Sequence, residues 1–425
     1  MTTAAEALVL VPKLRFPGFL EAGGFKIKKI DQISENVTAG GTPSTSEKEY
    51  WGGTIRWMSS GELNYKKVHE VQGRITEKGL QSSSTKIIPK KCVLIGLAGQ
   101  GKTRGTVAMN MVELCINQSI AAIFPNEEQF SSEFLYHNLD TRYDELRSLS
   151  AGGEGRGGLN LQIIKSLRVP LPGLKEQHKI ADCLASVDEL ITLESQKLDR
   201  LKLYKKGLMQ QLFPTEGETV PRLRFPEFQG TNEWDINGLG TLTTFVNEKI
   251  SIVQISLENY ISTENILQDY GGITKASKLP ETGSVTQFRS NDILFSNIRP
   301  YLKKVWLADK KGGASNDVIV IRAKQEIEAK FLSFLLKNDT FINYVMTGAK
   351  GVKMPRGDIE SMKKYPTPFP LRAEQQQIAG CLTSIDDRIT VQAQKIETLK
   401  THKKGLMQQL FPAPDGFSAA QAGNT

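Results

Sequence analysis

The chain has 425 residues, 39% hydrophobic and 24% charged, and its formal net charge of +8 leans towards an acidic partner without by itself specifying nucleic acid. That length supports two or three domains, each able to bury a core, and no apolar run approaches a membrane span or makes a convincing signal peptide. Four cysteines without CxxC spacing fit a reducing, cytoplasmic setting, and with only four histidines no metal site is expected.

After a start expected to be mobile (Met1–Leu10), Val11–Phe19 reads VPKLRFPGF. Phe25–Ile33 leads into turns at Gly40, Gly41 and Pro43 and at Tyr50–Gly53. Ile55–Met58 reads as a short strand ending at Ser59, Ser60 and Gly61, and Cys92–Ile95 as a second. Thr106–Phe124 stays strand-like, interrupted at Asn117–Gln118. Glu133–Leu149 has helical spacing, and the glycine-rich AGGEGRGGLN precedes Leu161–Leu167. Val169–Pro172 (VPLP) then leads into a long helix.

That helix, Glu176–Pro214, returns almost unchanged at Glu374–Pro412, 198 residues later (374 − 176), and both copies end in KKGLMQQLFP. Its apolar residues alternate steps of four and three: Ile180, Leu184, Val187, Ile191, Leu198, Leu201, Leu208 and Leu212. The second copy carries Ile378, Leu382, Ile385, Ile389, Ile396, Leu399, Leu406 and Leu410. This narrow seam is the pattern of coiled-coil packing, and each copy is the obvious partner for the other. Both copies break the seam at matching places, Glu194 and Lys205 in one, Gln392 and Lys403 in the other. Polar seam positions cost stability but fix register. Some 35 helical residues make a rod roughly 50 Å long. Cys183 and Cys381 are equivalent positions, read as small packing residues.

The duplication extends beyond the helices. Val220–Phe228 (VPRLRFPEF) repeats the first mark at an offset of 209 (220 − 11), so one insert is 11 residues shorter (209 − 198). The inserts, Phe25–Pro172 and Trp234–Pro370, are unlike in sequence but keep one order of parts. Asp292–Phe295 stands for Cys92–Ile95, and Val318–Ile321 follows Ser315–Asn316–Asp317 as Ile120–Ile123 follows Asn117–Gln118–Ser119. Lys330–Met346 is helical, TGAKGVKMPRGD is the matching loop, and Thr367–Pro370 (TPFP) leads into the second long helix. Ala413–Thr425 has the composition of a disordered tail. A constant frame with unlike inserts suggests interchangeable reading heads on a fixed ruler.

Gly96–Thr103 (GLAGQGKT) matches the phosphate-binding pattern GxxxxGK[ST] literally. The chemistry requires a helix N-terminus directly after it, whereas TRGTVAMNMVELCI has no helical periodicity. The second insert also lacks the motif. Lys102 and Arg104 are better explained as a basic loop facing a nucleic-acid backbone. No other catalytic constellation or cofactor fingerprint is evident, and no NPPY- or DPPY-like tetrapeptide for holding a flipped base is present.

The two LRFP(G/E)F marks, GGTPS with YWGGTIRW, FSNIRPYLKKVW, the PxP-then-EQ approach to each helix and the two KKGLMQQLFP ends resemble one family: the specificity subunits of type I restriction–modification enzymes. The resemblance runs from about Val11 to Pro412. It implies an α+β fold with a pseudo-two-fold internal repeat, in which two mixed α/β target-recognition domains are separated by two long helices pairing as an antiparallel coiled coil. The expected divisions are recognition domain 1 at 11–172, helix 1 at 173–214, linker and recognition domain 2 at 215–370, helix 2 at 371–412 and the tail at 413–425. It further implies a non-catalytic subunit that reads half of a split, asymmetric target in double-stranded DNA with each domain. Two methyltransferase subunits would be recruited, and restriction–translocase subunits would join them. S-adenosylmethionine, ATP and Mg²⁺ would serve those partners, with no cofactor in this chain.

Expected DNA contacts lie on loops after strands: Ser59, Ser60, Gln100, Lys102, Arg104, Arg156 and Asn160 in the first domain, and Ser296, Asn297, Arg299, Tyr301, Lys350, Lys353 and Arg356 in the second. Arg suits guanine, and Asn or Gln suits adenine. Two other readings stay open on sequence alone, a P-loop ATPase using Gly96–Thr103 and a coiled-coil scaffold whose heads bind proteins.

Overall fold

The computed structural model describes residues 10–99, 101–149 and 158–412, so the expected tail and nearly all of the expected mobile start lie outside it. Leu10, the last residue of that start, pairs with Phe25 in an isolated bridge. The chain forms two compact units, one of Met1–Glu194 with Lys395–Thr425 and one of Ser195–Gln394. Each long helix, Leu174–Leu212 and Arg372–Leu410, therefore contributes to both units.

In the first unit a five-stranded sheet runs in the order Val37–Ala39, Ile120–Ile123, Val93–Gly96, Val107–Asn110, Lys67–Val68. Its middle strands are buried throughout because both faces are covered. Val93, Ile95, Val107, Met109, Ala121 and Ile123 face the helices, and Leu94, Ala108, Ile120 and Ala122 face a second core with Met58, Leu63 and Leu114. A four-stranded sheet, Gly73–Ile75, Trp51–Met58, Leu114–Ile116 and Ile87–Ile88, completes the insert.

The second unit has the same plan. Thr243–Phe245, Val318–Ala323, Ile293–Ser296 and Val305–Leu307 form the central sheet, and Lys249–Ser251, Ser284–Phe288, Gly312–Ala314 and Tyr260–Ile261 form the other. In both units a two-stranded ribbon, Lys26–Lys29 with Arg168–Leu171 or Asp235–Gly238 with Pro366–Phe369, sets the start of the insert beside the approach to its long helix.

Three expectations are corrected. Tyr50–Gly53 is not a turn: Trp51–Met58 is one strand with an irregular register between Trp51 and Ile55, where Gly52 has φ +80°. Glu133–Leu149 is two helices, Ser132–Asp140 and Tyr143–Ser148, because buried Arg142 turns its guanidinium to the Arg168 carbonyl and Glu145. Lys330–Met346 likewise divides into Ala329–Leu336 and Asp339–Thr347, with the Asn338 side chain capping the second.

The repeated motifs hold the frame together. Arg15 of the first LRFP mark makes two hydrogen bonds of 2.7 Å to Glu176 in the first turn of its helix. Arg224 of the second mark binds Glu374 in the same way, at 2.8 Å twice. These ion pairs are nearly dry, the side chains being 7% and 2% exposed in one and 7% and 1% in the other. The glutamine beside each glutamate spans two elements. Gln177 accepts from the Ser131 N–H, at a helix N-cap, and donates to Pro172, while Gln375 accepts from the Glu328 N–H, also an N-cap, and donates to Pro370.

Each unit combines the start of one long helix with the end of the other, so the paired segments are antiparallel. Ile180, Ala181 and Leu184 share a core with Met407, Leu410 and Phe411, and Ile378, Ala379 and Leu382 share one with Leu212 and Phe213. Burying each of the leucines and isoleucines contributes about 1.5–3 kcal/mol relative to exposure. The first turns of the seam thus belong to globular cores. Val187, Ile191, Leu198, Leu201, Ile389 and Leu399 are half-buried, and Ile385, Gln392 and Ile396 are buried. The seam lysines reach across to the other helix: Lys403 pairs with Asp188 and Lys205 with Asp386, both at 2.6 Å. The first pair lies in the first unit and the second pair in the second. Glu194 pairs with Lys395.

One position differs tellingly between the units. In the second, the Lys205 ammonium lies 5.1 Å from the centre of the Phe334 ring. The first has His137 in the corresponding place, three residues after Phe134 as Phe334 is after Phe331. His137 is fully buried with no hydrogen-bond partner on either ring nitrogen. Its pKa is pushed down to about 3, first by burial and then by Lys403 and Lys67.

Candidate nucleic-acid interface

In the first unit several loops meet at one edge of the central sheet. Ile120 stands opposite Gly96, so the turn at 117–119 adjoins the hairpin loop that follows Gly96. The Leu97 N–H donates to the Ser119 carbonyl, and the Asn117 N–H to the carbonyl of Met58, where the long strand ends. GGTPS reaches the same edge because the N–H groups of Gly40 and Gly41 donate to Ile120 and Ile116. A Cβ on Gly40 would stand 1.7 Å from the Ile116 oxygen, so only glycine permits this approach. Trp51 and Trp57 pack edge to face at 5.0 Å and donate their indole N–H groups to Ser44 and Gly41. YWGGTIRW therefore seats GGTPS rather than reading a ligand itself.

The GLAGQGKT segment turns a β-hairpin. Gly99, Gly101 and Gly105 all have positive φ, and Val107–Asn110 follows as a strand, so no helix N-terminus faces a phosphate here. The loop is latched to the neighbouring helix: Tyr143 donates to the Lys102 carbonyl and Arg147 to the Gly101 carbonyl. Lys102 is exposed, and Arg104 is half-buried. Gln100 and Arg156 lie outside the described residues. Gly158 comes close to the Leu97 carbonyl, which brings exposed Asn160 near the same edge.

In the second unit the hairpin loop after Ser296 interlocks with the glycine-rich loop. Ile298 and Lys350 both pair with Arg356, the Arg299 N–H donates to Pro355 at 2.8 Å, and the Gly357 N–H donates to Asn297 at 3.3 Å. The Asn297 N–H donates to Asp317, repeating the Leu97–Ser119 bond. Arg299 and Lys303 hold φ of 52° and 53°, a left-handed conformation unusual for side-chain-bearing residues. Arg299, Tyr301, Lys350, Lys353 and Arg356 are all exposed on this joined surface. Arg356 pairs with Asp317 at 3.0 Å and Lys350 with Asp358 at 2.7 Å. The second pair holds Lys350 above and Asp358 below their usual ranges. Such exposed pairs are weak enough for an anionic ligand to displace.

Some expected contacts are already engaged. Ser296 is 2% exposed and its hydroxyl donates to the Ile298 carbonyl, so it holds the turn instead of meeting a ligand. Ser59 is half-buried with its hydroxyl on Glu62, and Ser60, also half-buried, opens the short helix that follows. Asn160 caps Leu161–Ser166 through the Ile163 N–H. Two exposed amides at these edges, Gln118 and Asn316, fall outside the expected set. Their signal in the sequence is position: they are 198 apart (316 − 118), the offset of the long helices, inside inserts that otherwise differ. Among the described residues no acidic, histidine or cysteine cluster could hold a metal, and no helix is long and apolar enough to cross a membrane.

The family described as type I restriction modification DNA specificity domain matches residues 23–203 and again 243–401. The chain is 27% identical over 426 residues to the type I restriction enzyme MjaIX specificity subunit of Methanocaldococcus jannaschii, an alignment covering 90% of this chain and 92% of that protein. It is 30% identical over 277 residues to the EcoDI specificity subunit of Escherichia coli, covering 58% and 61%. Its fold is similar to the crystal structure of the type I restriction–modification S subunit from M. genitalium, with a TM-score of 0.58 at 15% identity over 95% of this chain and 100% of that one. With the first insert, nearly all of the second and most of both long helices inside the matched segments, the chain belongs to the type I restriction–modification specificity subunits, with two DNA specificity domains in one polypeptide.

Proposed function

We propose that this non-catalytic specificity subunit reads a split, asymmetric target in double-stranded DNA, one half with each unit. The observation that carries this reading is the repeated loop edge. The same backbone bonds build it in both units, Leu97 to Ser119 and Asn297 to Asp317, yet it presents different side chains. A similar frame with unlike readers suits a target whose halves differ. Exposed Lys102, Lys350 and Lys353 would neutralise phosphates and set position, while Arg104, Arg299 and Arg356 are suited to base edges; the Asn297 side-chain oxygen is buried. The helices that both units share would set the gap between half-sites.

By the same reading, two methyltransferase subunits dock on equivalent surfaces of the repeat, and restriction–translocase subunits join them. S-adenosylmethionine, ATP and Mg²⁺ then belong to those partners, and the complex works in the cytoplasm. The test is to express the chain with its methyltransferase partner and map methylated adenines. A split motif with an unspecified gap is expected; a continuous motif, or none, would reject the reading.

A further inference from the structure

We propose that Gln118 and Asn316 are specificity-determining residues, each reading an adenine in the half-site of its own unit. The inference rests on the split-target reading above. In inserts that otherwise differ, both amides occupy the same tight turn, Asn117–Gln118–Ser119 before strand Ile120–Ile123 and Ser315–Asn316–Asp317 before strand Val318–Ala323. Each turn is pinned from both sides. In the first unit its flanks bond to Met58 and Leu97; in the second they bond to Ile261 and Asn297. A side chain on so constrained a backbone is held in place before any ligand arrives.

Both amides are also oriented in the same way. The Thr42 hydroxyl, from the loop after edge strand Val37–Ala39, donates to Gln118 Oε1. The Lys249 ammonium, from the segment after edge strand Thr243–Phe245, donates to Asn316 Oδ1 at 3.0 Å. Two unrelated donors thus do one job at equivalent positions. A carboxamide oxygen has two lone pairs and its nitrogen two N–H groups, so one acceptor site and both donors remain. Adenine in the major groove offers N6–H as a donor and N7 as an acceptor, which matches that remainder. Each amide is flanked by the cationic hairpin loop of its own unit, which supplies the phosphate contacts that bring a groove to it.

The full-length chain is expressed with its methyltransferase partner in cells lacking other adenine methylation, and methylated sites are mapped for wild type, Gln118→Ala, Asn316→Ala, Gln118→Glu and Asn316→Asp. Each alanine variant should relax one A·T base pair, the two variants acting in opposite half-sites, with discrimination there falling roughly 5- to 100-fold. The carboxylate variants keep the shape and should move that position towards C, whose N4 amino group donates. If an alanine variant does not accumulate, its near-isosteric carboxylate variant decides. An unchanged motif, or a uniform loss of methylation without relaxation at any position, overturns the inference; the latter would mark a phosphate contact. A wild-type complex without a split motif defeats the parent reading as well, whereas a split motif indifferent to all four variants defeats this inference alone.

Discussion

Arg224→Met should damage the second unit far more than the first. Arg224 makes two charge-assisted bonds to Glu374 at 2.8 Å and two weaker ones to the Thr231 and Asn232 carbonyls at 3.2 and 3.0 Å. Asn232 is exposed and Thr231 half-exposed, so their carbonyls can turn to water and those bonds count for little. Glu374, 1% exposed, cannot. Removing one partner of such a pair leaves a buried uncompensated charge and costs about 3–5 kcal/mol, a large share of a typical total stability of about 5–15 kcal/mol. The double variant Arg224→Met with Glu374→Met replaces the pair with apolar groups and should recover most of that loss. Hydrogen exchange on the full-length chain, read separately for peptides of the two units, distinguishes these outcomes. Ser195–Gln394 peptides should lose protection in the single variant and regain it in the double. A single-variant loss below about 1 kcal/mol, or a double variant no better than the single, would refute the reasoning, because either would mean that the pair is not acting as a dry unit.

His137, whose pKa lies near 3 in the folded chain, regains its ordinary value near 6.5 on unfolding. The unfolded state therefore binds the extra proton, and stability falls as pH drops from about 6.5 towards 3, by up to about 5 kcal/mol. His137→Phe, which installs the aromatic residue found at Phe334, should flatten that dependence in urea melts across the window; an unchanged slope would exclude His137 as its source. Lys102→Ala should weaken DNA binding of the assembled complex and lower the steepness of its salt dependence by about one ion, and Arg356→Ala should weaken it by about 1–3 kcal/mol and relax one base position, both with circular dichroism unchanged. Unchanged affinity at physiological salt for both would remove these loops from the interface. Asp386→Lys should destabilise the second unit by setting two lysines together, and Lys205→Asp in the same chain should restore it, with a coupling of about 1–2 kcal/mol. Additive losses would mean that Lys205 and Asp386 do not fix the helix register.

The duplicated frame was legible from residues alone because repetition and periodicity are properties of a string. A heptad seam needs only spacing, and the fixed offset of the KKGLMQQLFP ends needs only counting. The case against the phosphate-binding reading was partly legible for the same reason, since no helical period follows Thr103, and the strand Val107–Asn110 completes it. The roles of the marks were not legible. Arg15 and Glu176 are far apart in sequence and carry no local signal that they form a dry ion pair. Ser296 follows a strand in the sequence and so reads as a loop contact, but strand pairing opposite Val318 buries it. Gln118 and Asn316 share an offset in the sequence, but the hydrogen bonds that orient their side chains come from residues remote in sequence, Thr42 and Lys249. By itself the sequence determined that one unit is built twice around two like helices. Only the tertiary structure decided which helix end serves which unit and which side chains stay exposed, because burial and long-range pairing depend on where the rest of the chain packs.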